Sequence, residues 1–280
     1  MSESKLYRYT AFSDRADGGN PAGVWVGDVL PPVREMQRIA AEVGFSETAF
    51  MAPRNGEVRD VRYFSPEAEV SFCGHATIAS GVLLGMQDGI GDYRLQTQVG
   101  EVLVNVRQEG ERFVASLTSV EPRHEQPSAT LLDAALAALN WSRSELDPSL
   151  PPAKAYAGAW HLIIAVKERS RLQTLDYAFD ELKTLMLEHE LTTLQLIWQE
   201  SSSVFHARNP FPVGGVVEDP ATGAAAAALG GYLRNAGYLT APGTLHIHQG
   251  VDMGRPSEIT VSIPEKGGIV VSGTAVSLDG

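Results

Sequence analysis

Between Tyr63 and Leu84 the chain reads YFSPEAEVSFCGHATIASGVLL. An alternating, strand-like run breaks at Cys73-Gly74-His75 and passes into a helix of small and apolar residues. A helix that is apolar all round is stable only when it is surrounded, so the neighbouring strands must cover it. Its first turn also gathers a thiol, a bare glycine backbone and an imidazole. Free N–H groups and the positive end of the helix dipole favour an anion there. The turn is therefore a candidate ligand site.

The rest of the chain supplies many strands and few helices. Strands are expected over 6–12, 24–26, 46–52, 58–64, 93–97, 102–108 and 113–118. Pro32 opens a helix that Gly44 stops, and Arg54-Asn55-Gly56 marks a hairpin turn. The polar run Glu121–Ser128, with two prolines, is the best interior boundary. Beyond it, helices are expected over 131–139 and 179–189, with a further short helix from the capping-box spacing Ser142…Glu145. Strands are expected over 161–166, 194–198, 204–207, 245–248, 259–263 and 269–276. A second helix of small residues, 221–235, follows Glu218-Asp219-Pro220-Ala221-Thr222-Gly223. The extended segment, small-residue turn and small-residue helix at Val70 recur at Val217, which points to two similar lobes. The regular βαβα alternation of a doubly wound sheet is missing, as are a G-x-G-x-x-G fingerprint and a phosphate-loop lysine, so a nicotinamide or ATP site is not expected.

A net charge of -12 argues against nucleic acid or an anionic membrane as partner, since both need basic patches. The single cysteine precludes an intrachain disulfide and fits a reducing compartment. The start MSESKLYRYT has no apolar signal-peptide core, and no apolar run approaches the roughly 20 residues of a membrane helix. The expectation is a cytoplasmic soluble protein.

The polar groups near the two turns are Asn20, Glu47, Cys73, His75 and Asp219. Glu47 either faces water, as charges in strands often do, or stands at a strand start to take or give a proton. His75 either satisfies a backbone group or orients a substrate. Asp219 before Pro220 suits a helix N-cap, which can also meet a ligand. Cys73 lacks the base and second thiol of a thiolate enzyme and reads mainly as packing. Gly74 and Gly223 permit close approach of a ligand or of another element. His246 and His248 share a strand face without a completed ligand set, so no metal is expected.

Six blocks carry a family resemblance: Gly19-Asn20-Pro21, Gly44-Phe45-Ser46-Glu47-Thr48-Ala49-Phe50, Arg62-Tyr63-Phe64-Ser65-Pro66, Phe72-Cys73-Gly74-His75-Ala76-Thr77, Glu218-Asp219-Pro220-Ala221-Thr222-Gly223 and Gly254-Arg255-Pro256-Ser257. In this order they resemble the phenazine-biosynthesis PhzF-like family. The resemblance implies an α+β, diaminopimelate-epimerase-like fold: two pseudo-symmetric lobes, each a barrel-like, mostly antiparallel sheet around a central helix. The expected lobes are 1–120 with about 268–280, and 121–267, with the active site in the cleft between them. The resemblance also implies a cofactor-independent isomerase that moves a proton on a small, carboxylate-bearing, cyclic metabolite, and a homodimer. Glu47 would be the catalytic acid–base, and Asn20, Gly74, His75, Asp219, Gly223 and Ala224 would bind substrate. The phenazine enzymes carry a serine where this chain has Ala224, so the hydroxyl contact is lost. A racemase or epimerase using Glu47 with Cys73, or a non-catalytic metabolite-binding protein, are the alternatives.

Overall fold

The computed structural model describes residues 4–55 and 57–279. The chain divides into two compact units, Met1–Thr118 with Ser272–Gly280, and Ser119–Val271. In the first unit the strands are β1 (Lys5–Ala11), β2 (Asn20–Val26), β3 (Glu47–Asn55), β4 (Val58–Phe64), β5 (Glu69–Val70), β6 (Gly91–Thr97), β7 (Gly100–Glu109) and β8 (Arg112–Thr118). The helices are α1 (Val33–Val43) and α2 (Gly74–Asp88). The closing strand, β17 (Val270–Ser277), arrives from the far end of the chain. Pairing runs β1–β2–β3–β4–β6–β7–β8, and β17 joins β8 back to β1, so the sheet closes into an eight-stranded barrel. Gly56, in the sequence-predicted hairpin turn, lies outside the described residues.

The barrel encloses α2, whose residues from His75 to Gly85 are all buried. Small residues make this possible. A Cβ at Gly81 would stand 2.7 Å from Val104 and 2.8 Å from Ala115, and one at Gly85 would stand 2.6 Å from Val106. Helix α1 covers the outside of the barrel, where Met36 and Ala40 pack on Trp25, Phe50 and Phe64. Alternation then turns Ala22, Glu47, Ala49 and Tyr63 inward.

The second unit contains β9 (Arg123–Glu125), α3 (Ala129–Ala138), β10 (Ala153–Tyr156), β11 (Trp160–Ala165), α4 (Arg169–Gln173), α5 (Phe179–Glu188), β12 (Leu191–Gln199), β13 (Val204–Pro210), β14 (Glu218–Asp219), α6 (Gly223–Asn235), β15 (Gly243–Gln249) and β16 (Ser257–Ile263). Its sheet runs β9–β10–β11–β12–β13–β15–β16. Helix α6 is buried from Ala225 to Leu233, and α3 and α5 cover the other face through Leu162, Ile164, Leu194 and Leu196. No described helix is long and apolar enough to cross a membrane.

Both units repeat one topology. From β1 to β7, and again from β10 to β16, successive pairs run antiparallel, parallel, antiparallel, parallel, antiparallel, and the second parallel crossover passes through the buried helix. A two-residue strand precedes each buried helix, and each is clamped alike. Arg62 grips Glu69 through two hydrogen bonds of 2.6 and 2.5 Å, and Arg208 grips Glu218 at 2.9 and 2.5 Å. The registers equate Glu47 with Thr193 (opposite Ala22 and His161) and Tyr63 with Asn209. On that inner face His161, Thr193, Gln195 and Asn209 form a fully buried polar patch. Thr193 Oγ1 meets His161 Nδ1 at 2.8 Å and Asn209 Nδ2 at 3.0 Å.

Four elements depart from the sequence expectation. The polar boundary run holds an exposed edge strand, β9. The Ser142…Glu145 capping box forms on a single 3-10 turn, because Leu146 leaves it extended to bridge Val166. Strand β10 and helix α4 are too short to show a period.

Candidate active site

In the first unit the start of α2 meets the starts of β2 and β3. Cys73 caps α2 in an extended conformation without a side-chain cap bond. The Sγ–H donates to Glu47 Oε2 at 3.5 Å and lies 3.4 Å from His75 Nδ1. His75 Nε2 is 3.4 Å from the same Glu47 oxygen and 3.3 Å from Ser46 Oγ. On the opposite edge of the ring, Asn20 Nδ2 lies 3.2 Å from Nδ1. Which ring nitrogen carries the hydrogen follows the tautomer. Side-chain exposure is 8% for His75 and 18% for Glu47, so the carboxylate is the more accessible of the pair.

Burial lowers the His75 pKa, against the pull of the Glu47 charge and a hydrogen bond to the Pro21 carbonyl. The imidazole is therefore neutral near pH 7. A neutral imidazole can donate to a carboxylate or accept from a carboxylic acid, so it can follow either protonation state of Glu47. At Gly74 a Cβ would meet nothing within 4 Å, so the backbone of the first helical turn is open to an approaching group. Tyr63 fixes the turn from beneath, with its hydroxyl 2.6 Å from Thr77 Oγ1, which itself donates to the Cys73 carbonyl at 2.6 Å.

In the second unit the turn before α6 is held by a different residue. Thr222 Oγ1 donates to Asp219 Oδ2 at 2.5 Å. Gln249 brackets the turn: its Nε2 donates to the Asp219 carbonyl at 2.8 Å and to Thr222 Oγ1 at 3.0 Å, and its Oε1 accepts from Thr222 N at 3.1 Å. Gly223 and Ala224 follow as the first, half-buried residues of α6. Asp219 pairs with Asn209 across β13 and β14, which ties this turn to the buried polar patch.

The structure thus brings Asn20, Glu47, His75 and Gly74 together in one unit, and Asp219, Gly223 and Ala224 together in the other. Sequence reasoning missed Ser46, Gln249 and the placement of Cys73. The thiol, read mainly as packing, is buried and also touches both polar partners. Ser46 precedes the expected catalytic residue and could have been flagged on that ground. Gln249 has no local signal, since only the strand register of β15 delivers it.

Residues 9–280 match the family model described as phenazine biosynthesis-like protein (PhzC-PhzF). The chain is 31% identical to the uncharacterized isomerase YddE of Escherichia coli (strain K12), over 98% of this chain and 96% of the relative. It is 32% identical to the trans-2,3-dihydro-3-hydroxyanthranilate isomerase of Pseudomonas fluorescens, over 88% and 86%. The crystal structure of the Bacillus anthracis PhzF-family protein superimposes with a TM-score of 0.87, covering 99% of this chain and 98% of that one at 24% identity. The fold is accordingly the α+β, diaminopimelate-epimerase-like one. The chain belongs to the phenazine biosynthesis-like (PhzC-PhzF) family and is an isomerase or epimerase.

Proposed function

We propose that the chain is a cofactor-independent isomerase that moves a proton on a small, cyclic, carboxylate-bearing metabolite, with Glu47 as the acid–base. The observation that carries this reading is the placement of the Glu47 carboxylate. It is half-buried, 3.4 Å from a neutral imidazole, beside the open backbone of Gly74. Glu47 Oε2 would take the proton from one carbon of the substrate and return it to another, while His75 Nε2 adjusts its hydrogen bond to the changing charge. The N–H groups at the start of α2 would hold the substrate carboxylate. The Asp219 turn, with Gly223 and Ala224, would supply a second set of contacts. Ala224 offers no hydroxyl there, so a substrate that does not depend on that contact fits better than the phenazine precursor.

The test is exchange. With non-aromatic cyclic carboxylic acids related to trans-2,3-dihydro-3-hydroxyanthranilate in deuterium oxide, the enzyme should incorporate solvent deuterium into any ligand it turns over. Glu47→Gln should lower the rate by roughly 10²–10⁴ while leaving binding largely intact. Full turnover in that variant would remove Glu47 from the role. The hydrogen bond from Cys73 to Glu47 favours one second reading, an epimerase that uses Glu47 together with Cys73. In that case Cys73→Ser is as damaging as Glu47→Gln; on the first reading it costs little.

A further inference from the structure

We propose that Gln249 is a positioning residue that directs the Thr222 hydroxyl onto Asp219. The carboxylate is thereby presented to the substrate as a hydrogen-bond acceptor, and it selects a ligand that brings an amino or hydroxyl donor. The proposal rests on the reading of the Asp219 turn as a substrate contact. Gln249 is fully buried at the end of β15, and its amide has one possible orientation. The Thr222 N–H can only donate and the Asp219 carbonyl can only accept. Oε1 therefore faces the first at 3.1 Å and Nε2 the second at 2.8 Å. The other Nε2 hydrogen goes to Thr222 Oγ1 at 3.0 Å. That hydroxyl gives its single hydrogen to Asp219 Oδ2 at 2.5 Å. A hydrogen on Asp219 Oδ2 would instead leave the Thr222 hydroxyl with no acceptor among the described residues. The donors thus run one way, from amide to hydroxyl to carboxylate, and an ionised carboxylate has no hydrogen to give.

The backbone holds this relay in place. At Gly250, with φ of 73°, a Cβ would stand 2.8 Å from the Pro220 carbonyl oxygen, so the end of β15 lies directly against the turn. The first unit uses a different device at the matching place. There Tyr63 and Thr77 end their relay on the Cys73 backbone carbonyl. Counting from Gly74 and Gly223, Ala226 stands where Thr77 does, and strand register puts Asn209 where Tyr63 is, so that relay has no counterpart before α6. The first relay fixes a backbone group. The second fixes a side chain that keeps part of its surface accessible, and so sets what a ligand must bring.

Anthranilate and benzoate share a ring and a carboxylate and differ by one amino donor. Calorimetric titration of the full chain should show the wild type binding anthranilate at least about 10-fold more tightly, the scale of one hydrogen bond to a charged acceptor. Gln249→Met and Thr222→Val should each erase that preference by weakening anthranilate alone, whereas Thr222→Ser should keep it. Thr222→Val leaves both bonds from Gln249 to the backbone of the turn, so it removes the hydroxyl without removing the brace. No preference in the wild type, a preference retained in Gln249→Met or Thr222→Val, or equal weakening of both acids would each overturn the proposal. The acid–base reading fails on a different result, full turnover by Glu47→Gln, which leaves this preference standing.

Discussion

His161 shows how one residue can make stability depend on pH. It is fully buried, and that burial pushes its pKa down to about 3 from an ordinary 6.5, with only a backbone hydrogen bond at Thr193 opposing. In the unfolded chain the same ring takes a proton near its ordinary value. The unfolded state thus binds more protons at every pH between the two values, so its acidification favours unfolding. The contribution is complete above about pH 6.5 and is lost as pH falls toward about 3. Between pH 7 and pH 5 the loss from this residue is about 2 kcal/mol. Urea unfolding at the two pH values should show that drop in the wild type and a much smaller one in His161→Leu. An equal drop in both would place the acid sensitivity elsewhere, for example at His75, which burial shifts in the same direction.

At the scale of elements, the repeated topology explains what the sequence disclosed and what it hid. The buried helices were legible because nothing but small and apolar residues can fill a barrel, and Cys73-Gly74-His75 was legible because it opens one of them. The equivalence of Glu47 with Thr193 was not, since it lives in strand register and has no local sequence mark. The same register exposes the polar patch opposite α6. Both amide atoms of Gln195, His161 Nε2 and Asn209 Oδ1 are buried without a hydrogen-bond partner among the described residues. Each such group costs roughly 1–3 kcal/mol. Gln195→Met keeps the shape and removes two of them, so it should stabilise the protein by about 1–3 kcal/mol in a denaturant titration. A loss of stability instead would mean that internal water already satisfies the amide.

At the scale of the molecule, the first unit depends on a strand that the rest of the chain must be traversed to reach. Ser272 clasps Ser116 at 2.8 Å, Thr274 Oγ1 donates to the Phe113 carbonyl at 2.9 Å, and Phe12 N donates to the Thr274 carbonyl at 2.8 Å, so β17 is locked on both edges. A Cβ at Gly273 would stand 2.4 Å from the Phe12 ring. Gly273→Val should therefore cost about 1–3 kcal/mol. Its signature in amide exchange should be faster opening of β1, β8 and β17 with protection retained in β11 and β12. Uniform loss across both units would show that they unfold as one. The closing strand also sets an order of birth. About 150 residues separate the two parts of the barrel. At roughly 5–20 residues per second the ribosome needs on the order of 8–30 s to deliver the missing strand. Until then α2, the more apolar of the two buried helices, is housed in an open sheet.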